Sequence, residues 1–429
     1  MTGPEPHARP PVAGWVRTAD ALSVLLVLLA GSVAMSGGFR LWVGSWRISV
    51  TAPERLAIAA LLLTALRHWR LPRPAIVERL WHGARHALQS EALRAVWPVA
   101  VWSRAAVAVV GLLAVFLVGY PPSEPRFRVS RNELVNLPAR WDAGWYLDVA
   151  QVGYRWDPDK RGQQNIAFFP AYPLLMRTGG RLLGGSTPEV VLAGVVVSCG
   201  AFLWALMYLF RLASAHPALG TTDRARWAVM LLGSYPFAIF YGPLYTEALF
   251  LAASLGAFWY MRQRRLWRVA AWGLVAGLTR ANGAFLSVPL ALLALTETSP
   301  IEARIAYRLR TGLPALLAAA APGIGALLFS LFIYRLTGNP FEWAAIQERW
   351  GRTVGGGLHS IGAPFGYVAE HGFFEYLRTE AGNFINLTTA AFAAALVWPV
   401  TRRLGVWVLV FAIGQGFMAV LFYTWRPPY

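Results

Sequence analysis

Asp142 lies in the densest cluster of chemistry-bearing side chains in the chain, the run RWDAGWYLD from Arg140 to Asp148. A carboxylate that aromatic rings partly desolvate suits a general base that takes a proton from a hydroxyl group. Asp142 as a helix N-cap, beside rings of an interfacial aromatic belt, explains the run as well. We take Asp142 as the candidate base, and the candidate binding residues around it are Arg140, Trp141, Trp145, Tyr146 and Asp148.

A second candidate group is an arginine in the middle of an apolar run. Arg280, with Asn282 two residues later, lies at the centre of Val269–Leu295. An arginine at membrane depth is costly unless it is paired, and it is a functional candidate by default. We expect Arg280 to bind an anionic phosphate through two parallel hydrogen bonds, with Asn282 assisting. The alternative is an internal salt bridge, with Glu247 as the candidate partner.

The composition shows what solvent these residues face. Of 429 residues, 56% are apolar and 14% charged, against roughly 45–50% and 25% in soluble domains. A water-soluble enzyme is excluded, and the long apolar runs indicate a polytopic membrane protein. The net charge of +18 comes from arginines in short loops between those runs. This placement indicates the positive-inside pattern, with membrane lipid headgroups rather than nucleic acid as the partner.

The runs and the loop charges together predict an all-α fold with about eleven transmembrane segments and the amino terminus inside. The first run, from Leu22, fits a signal anchor better than a signal peptide, because the next run leads directly into the most basic stretch, Arg67 to Arg94. Trp227–Tyr260 and Val269–Leu295 are predicted to be helical hairpins that turn outward. The other predicted spans are Leu56–Leu66, Val99–Tyr120, Val190–Phe210, Leu313–Leu336, Phe384–Val400 and Val406–Tyr423.

Two long loops are then extracytoplasmic, one between Tyr120 and Val190 and one from Thr337 to Asn383. They hold about half of the acidic residues, which the positive-inside rule does not require. We therefore expect the chemistry at the outer face of the cell membrane. Residues 1–97 are predicted to form an anchor hairpin and a basic cytoplasmic loop, and residues 98–429 the catalytic module.

Three further polar groups are weaker candidates. Asp157-Pro158-Asp159 has the spacing of a metal-binding Asp-x-Asp motif, but a solvated turn explains it better. His359 and His371 have no ligand-like spacing, and the single cysteine, Cys199, has no disulfide partner. We expect no metal and no cofactor. An aromatic and basic group in the second loop is a candidate cover for the acceptor side: Gln347, Arg349, Trp350 and Arg352.

The ordered motifs resemble a known family. The pattern Trp-Asp-x-x-Trp-Tyr at Trp141 is followed by Gly153-Tyr154 and by Ala-Phe-Phe-Pro-x-Tyr-Pro, which contains Phe169. A proline-aromatic segment from Tyr235, then Tyr245-Thr246-Glu247, then Thr-Arg-x-Asn-Gly around Arg280 complete the set. Over roughly Val99 to Leu295 the chain resembles the GPI mannosyltransferase 2 (PIG-V) family, including its bacterial members.

This resemblance implies a GT-C glycosyltransferase. It implies a polyprenyl- or dolichyl-phosphate mannose donor and inverting transfer to the hydroxyl group of a lipid or glycolipid acceptor. It also adds Phe169, Tyr245 and Glu247 as candidate substrate-binding residues. The spans before Val99 precede the family's usual first helix, and a further arginine-containing segment is expected beyond Tyr429. Two alternatives stay open: a GT-C transferase of another sugar such as arabinose, and a lipid or solute transporter in which Arg280 and Glu247 bind the substrate.

Overall fold

Helices make up most of the chain that the computed structural model describes. The described residues are 14–36, 39–43, 46–71, 78, 89–119, 128–130, 132–216, 220–298, 305–350 and 357–422. Parts of the predictions above lie outside these ranges: most of the predicted cytoplasmic loop between Arg67 and Arg94, the last residues of two predicted spans, Tyr120 and Tyr423, and Arg352 of the second loop.

The chain divides into two compact units, Met1–Arg94 and Ala95–Tyr429. The first unit contains α1 (Gly14–Ser36) and α2 (Pro53–Arg70), which pack together and are joined by a buried ion pair between Arg67 and Asp20. Between them, β1 (Phe39–Val43) and β2 (Trp46–Val50) form an antiparallel hairpin. This hairpin departs from the all-α prediction. The alternating runs FRLWV and WRISV on both sides of Gly44-Ser45 are its sequence signal.

The second unit is helical throughout its described residues. Helix α3 (Glu91–Leu113) begins just before the boundary and continues as a π-turn to Val118. The following helices are α4 (Glu133–Asn136), α5 (Ala143–Gln151), α6 (Ala171–Leu182), α7 (Thr187–Ser214), α8 (Thr222–Ser234), α9 (Glu247–Arg262), α10 (Leu266–Thr279), α11 (Ser287–Thr298), α12 (Ile305–Ala319), α13 (Ala321–Thr337), α14 (Glu342–Ala345), α15 (Gly357–His371), α16 (Phe373–Thr379), α17 (Ala381–Leu404) and α18 (Val406–Phe422).

Three helices of the described part are long and apolar enough to cross a membrane: Glu91–Val118, α7 and α17. The pair α12 and α13 adds a fourth if it counts as one span, although it is bent by 43°. A helical membrane protein is therefore supported, whereas the predicted number of about eleven spans is not confirmed. The predicted span Leu313–Leu336 is broken at Ala320, where Pro322 occupies the first turn of α13.

The two predicted hairpins are interrupted by 3-10 turns rather than by simple loops. Pro236–Tyr241 is a 3-10 segment between α8 and α9, and Ala281–Leu286 is one between α10 and α11. Helix α9 packs on α7 and on α10, and α10 packs in turn on α13. Small residues make this packing close, because a Cβ at Gly277 of α10 would collide with the carbonyl oxygen of Pro322. The helix breaks at Glu247 and Arg280 are thereby brought next to each other.

Candidate functional site

The candidate site lies where three helix ends meet. Asp142 immediately precedes α5, Glu247 is the first residue of α9, and Arg280 follows the last residue of α10. At Arg280 the backbone is extended, with φ −154° and ψ 152°, so the chain leaves the helix there before the next 3-10 turn.

Arg280 forms an ion pair with Glu247. The distance from Nη1 of Arg280 to Oε1 of Glu247 is 2.5 Å, and the two side chains are 37% and 27% exposed. This is the salt bridge that the sequence left open as the alternative to phosphate binding. Glu247 lies in the first turn of α9, where the helix dipole favours a negative charge. Its second oxygen, Oε2, is buried and has no hydrogen-bond partner among the described residues.

Asp142 occupies the N-cap position of α5, but its side chain makes no capping hydrogen bond. Its backbone N–H instead donates to the hydroxyl oxygen of Tyr245 at 3.0 Å, and that hydroxyl donates to the carbonyl oxygen of Arg140 at 3.3 Å. The half-buried carboxylate of Asp142 lies close enough to Arg280 for their charges to interact. The N-cap hypothesis therefore explains the position of Asp142 before α5. It does not explain why this position carries a carboxylate, since the side chain makes no capping hydrogen bond.

The residue before the candidate base has a strained backbone. Trp141 has φ +50°, a region that bulky side chains rarely adopt. Its indole is 69% exposed, and its ring centroid is 5.9 Å from that of Phe240. Backbone strain of this kind costs on the order of 1–3 kcal/mol and persists where the surrounding structure holds it. The strain directs a large aromatic surface outward beside Asp142.

Aromatic rings form the inner wall of the site. Tyr146 is buried, and its ring centroid is 5.1 Å from Phe168, 5.6 Å from Tyr172 and 6.2 Å from Tyr245. Burial raises the pKa of the Tyr146 hydroxyl well above its ordinary value, and the nearby charge of Glu247 raises it further. Tyr146 is thus a neutral hydrogen-bonding group here. Trp145 stacks on Phe168 with centroids 5.9 Å apart.

Asp148 ties α5 to the loop that follows it. Its Oδ1 accepts a hydrogen bond from Nη2 of Arg155 at 2.8 Å, and its Oδ2 accepts one from Nδ2 of Asn165 at 2.7 Å. The same Nδ2 group donates to the carbonyl oxygen of Gly153 at 3.0 Å. Both oxygens of Asp148 therefore have structural partners. Sequence reasoning assigned no role to Asn165, although it opens the Ala-Phe-Phe-Pro motif segment.

The side chains of two predicted binding residues, Arg140 and Phe169, contact residues other than Asp142. Arg140 forms an ion pair with Glu133, 3.5 Å from Nη2 to Oε2. Phe169 is buried against Phe329 and Trp343, with centroid distances of 4.5 and 5.2 Å, so its neighbour Phe168 is the ring that joins the aromatic wall.

The amide of Asn282 is held by the last described helix. Its Nδ2 donates to Oε1 of Gln415 at 2.6 Å, and Nε2 of Gln415 donates back to the carbonyl oxygen of Asn282 at 3.3 Å. This reciprocal pair fixes the turn after Arg280 against α18. Gln415 had a sequence signal that the analysis did not use, because an amide within an apolar run is costly unless it is paired.

The remaining polar candidates belong to the loops. Oδ1 of Asp157 accepts the backbone N–H of Asp159 at 3.0 Å, which is the turn that the sequence predicts. Nη1 of Arg349 donates to the carbonyl oxygens of Lys160 and Gly162, and its guanidinium lies 5.6 Å from the ring centroid of Trp156. Arg349 therefore joins the second loop to the first. Within the described ranges no three His, Cys, Asp or Glu side chains are grouped as metal ligands.

The geometry combines three chemical capacities in one place. Asp142 presents a carboxylate beside aromatic rings, which can accept a proton from a hydroxyl group. Arg280 presents a guanidinium, whose planar set of N–H groups matches a phosphate or carboxylate. Trp141 and Trp145 present ring faces, which pack well on the apolar faces of a ligand. A displacement reaction on a ligand with an anionic leaving group needs this set.

Comparison with known proteins adds a family to this geometry. Residues 121–303 match the family described as Mannosyltransferase (PIG-V). The matched range contains Asp142, Glu247 and Arg280. No solved structure matches the chain.

Curated relatives with the name GPI alpha-1,6-mannosyltransferase 2 are similar to part of the chain. The protein of Cricetulus griseus is 28% identical over 149 residues, and that of Homo sapiens is 26% identical over 149 residues. The protein of Mus musculus is 28% identical over 155 residues. Each alignment covers 34% of this chain and 29% of the relative, so the chain spans less than a third of the length of these relatives.

Proposed function

We propose that the chain, whose residues 121–303 match the family described as Mannosyltransferase (PIG-V), is an integral membrane mannosyltransferase. It transfers mannose from a polyprenyl-phosphate-linked donor to a hydroxyl group of a lipid or glycolipid acceptor. The reaction takes place at the extracytoplasmic face of the cell membrane. The observation that carries this proposal is the ion pair of Arg280 and Glu247, with the Asp142 carboxylate near enough for its charge to interact with that of Arg280.

The proposed chemistry is a single displacement with inversion. The acceptor hydroxyl oxygen attacks the anomeric carbon of the mannose while the bond from that carbon to the donor phosphate oxygen breaks. Asp142 takes the hydroxyl proton, and the polyprenyl phosphate leaves with the bonding electron pair. A positioned general base typically contributes about 10²–10⁴ in rate. The position of Asp142 at the start of α5, near enough to Arg280 for their charges to interact, supports this role.

Arg280 stabilises the departing phosphate in this mechanism. Its Nη1 is occupied by Glu247, and among the described residues Nε and Nη2 of Arg280 have no hydrogen-bond partner. The ion pair therefore orients the guanidinium and leaves one edge for a phosphate oxygen. Glu247 has a positioning role in this arrangement, which combines the two alternatives that the sequence left open. Asn282 contributes by fixing the turn next to Arg280 through Gln415.

The aromatic residues bind the sugars. The exposed ring of Trp141 and the half-buried ring of Trp145 flank Asp142. Ring faces of this kind pack on the C–H face of a sugar, while the buried Tyr146 hydroxyl, hydrogen-bonded to Thr246 at 3.3 Å, holds the wall in place. Asp148 keeps α5 attached to its loop. The aromatic residues around Asp142 thus supply an apolar surface for a pyranose, and polar groups lie only at the reacting atoms.

The experiment that tests the proposal uses the purified full chain in liposomes. Polyprenyl-phosphate mannose, radiolabelled in the sugar, is supplied with a total lipid extract as the acceptor source. We expect label to appear in a lipid fraction and polyprenyl phosphate to be released in equal amount. GDP-mannose should give no transfer in the absence of the lipid donor. Transfer from polyprenyl-phosphate arabinose alone, or no transfer from any polyprenyl-phosphate sugar, would overturn the proposal.

A further inference from the structure

An arginine lies inside one of the helices that can cross a membrane. Arg104 belongs to α3, whose extended range Glu91–Val118 has the length and the apolar composition of a span. An arginine within such a helix is expensive, and it is retained where it has partners and a role.

Arg104 holds the 3-10 segment Pro236–Tyr241. Its Nη1 donates to the carbonyl oxygen of Ala238 at 2.5 Å, across 134 residues of sequence. Its guanidinium carbon lies 4.5 Å from the ring centroid of Phe202, which is fully buried. The Phe202 ring is itself stacked on Tyr241, with centroids 4.9 Å apart. Arg104 therefore contacts this segment directly through one carbonyl and indirectly through a stacked ring.

The backbone allows α3 to approach this segment closely. At Gly233, near the end of α8, a Cβ would lie 2.7 Å from Cγ1 of Val99. At Gly242 a Cβ would lie 3.6 Å from Cδ of Arg104. The two glycines flank Pro236–Tyr241, so α3 packs against both ends of it. A methyl group at Gly233 would displace Val99, whereas one at Gly242 would make an ordinary van der Waals contact with Arg104, so Gly233 is the glycine that the close approach requires.

The segment that Arg104 holds contacts Tyr245 and Trp141, which both adjoin the candidate base. Phe240 lies with its ring centroid 5.1 Å from Tyr245 and 5.9 Å from Trp141. The hydroxyl oxygen of Tyr245 accepts the backbone N–H of Asp142 at 3.0 Å. A chain of direct contacts thus runs from Arg104 through Ala238 and Phe240 to the two residues that fix the backbone of Asp142.

We propose that Arg104 is a positioning residue for Asp142, acting through the Pro236–Tyr241 segment without touching substrate. The Nη2 atom of Arg104 is buried and has no hydrogen-bond partner among the described residues. A donor phosphate has no access to an atom without exposed surface, which excludes Arg104 as a second phosphate ligand. Its role is to keep the Phe240 ring in contact with Trp141 and Tyr245. These contacts hold the strained backbone of Trp141 and the direction of the Asp142 side chain.

The first experiment compares Arg104→Met with Arg94→Met in the purified full chain. Methionine keeps the length of the side chain and removes the hydrogen bond. Arg94 lies on the same helix, and its side chain donates to the carbonyl oxygen of Gln89, five residues away in the sequence. In Arg104→Met we expect amide hydrogen exchange to speed up in residues 235–246, and in Arg94→Met to remain unchanged. Equal exchange in Arg104→Met and the wild type would overturn the contact. This measurement does not depend on the proposed function.

The second experiment uses turnover and rests on the proposed function. Misplacing a reacting group by about 1 Å can cost about a hundredfold in rate, so Arg104→Met should lower kcat roughly tenfold to a hundredfold. The KM for the lipid donor should stay within about threefold, because substrate contacts remain. Arg104→Lys, which keeps one donor, should recover part of kcat. A rise in donor KM at unchanged kcat would overturn the positioning role.

A double-mutant cycle separates positioning from a general structural effect. Arg104→Met and Phe240→Leu interrupt the same chain of contacts. The double variant should therefore lose little more kcat than whichever single variant has the lower kcat. Arg104→Met combined with Asn282→Ala, which lies on a different chain of contacts, should show multiplied losses. Multiplied losses in the Phe240 cycle would overturn the proposal. If the wild type itself transfers no sugar, the proposed function fails, and the exchange measurement still decides whether Arg104 holds the segment.

Discussion

Nη1 of Arg280 lies 2.5 Å from Oε1 of Glu247, and the two residues are 33 positions apart in the sequence. Each stands at a helix end, Glu247 at the start of α9 and Arg280 after the end of α10. Two charges that the sequence places in separate apolar runs thereby neutralise each other. Removing one partner of such a pair leaves the other charge uncompensated. The two residues are therefore tested with one substitution that keeps the charge and, separately, one that removes it.

Arg280→Lys tests whether the guanidinium binds the donor phosphate. Lysine keeps the charge beside Glu247 but has no planar set of N–H groups. If a free edge of Arg280 binds the phosphate, the KM for the polyprenyl-phosphate donor should rise roughly tenfold or more, while the acceptor KM changes little. Steady-state kinetics with each substrate varied in turn measures both values.

Glu247→Gln is the matched control, because it removes the charge that orients Arg280 and leaves Arg280 itself in place. We expect a smaller rise in donor KM than in Arg280→Lys, together with lower thermal stability. Arg280 has a purely structural role if Arg280→Lys leaves the donor dependence as in the wild type.

The positions of helices could be predicted from the sequence where long apolar runs determine them. The bends between helices could not, because tertiary contacts determine them. The helices α7, α17 and α18 follow long apolar runs and were predicted within a few residues at most ends. The bend of 43° between α12 and α13 was not predicted. Pro322 was visible in the sequence, but the direction of the bend depends on packing against Gly277, which lies more than a helix away in the chain.

The candidate site was predictable as a set of residue types and not as a set of contacts. The motif around Asp142 and the helix break at Arg280 follow from the sequence. Phe168 and Phe169 are indistinguishable by type, and only the turn before Pro170 decides that Phe168 joins the rings at Tyr146 while Phe169 enters the core. Gln415 and Arg104 carried the same signal as Arg280, a polar group in an apolar run, but their partners lie in distant segments.

Cysteine labelling tests the orientation that the arginine distribution predicts. In a chain with Cys199→Ser, a cysteine at Gly162 should react with an impermeant thiol reagent in intact cells, because this position lies in the predicted outer loop. Gly162 is exposed, and a Cβ there would meet only the end of Lys160 at 3.8 Å, so the substitution is tolerated. A cysteine at Gly83, in the predicted cytoplasmic loop, should react only after permeabilisation. Reversed labelling would remove the outer active site.

Gly277→Ala tests the close approach of α10 and α13 in the turn of α10 that precedes Arg280. The added methyl group would collide with the backbone carbonyl of Pro322, which cannot rotate away as a side chain can. Overpacking typically costs about 1–3 kcal/mol, so the melting temperature in detergent should fall, and turnover with it. Gly200→Ala in α7 is the control, because a Cβ there meets nothing within 4 Å. Equal melting temperatures for the two variants would contradict the packing.

Tyr146→Phe tests whether a neutral phenol lines the site. Burial raises the pKa of Tyr146 above its ordinary value, which is about 10, so the hydroxyl does not ionise between pH 6 and 9 in the folded protein. We expect the variant to keep the shape of the wild-type pH profile of kcat over this range, with a modest uniform loss of rate. An alkaline limb that is present in the wild type and disappears in Tyr146→Phe would contradict a neutral Tyr146.

Asp142→Asn tests the assignment on which the mechanism depends. Asparagine and aspartate are about equally good N-caps, and the Asp142 side chain makes no capping bond, so the variant should fold and melt like the wild type. It has no carboxylate to accept the acceptor proton, and kcat should fall at least roughly a hundredfold at saturating lipid donor. Asp148→Asn is the matched control, because both Asp148 oxygens hold the loop through Arg155 and Asn165. We expect Asp148→Asn to lower the melting temperature more and kcat less than Asp142→Asn does. If purified Asp142→Asn turned over at nearly the wild-type rate, Asp142 would not be the base, and the base would have to be sought among Asp148, Glu247 and the acidic residues of the second predicted outer loop.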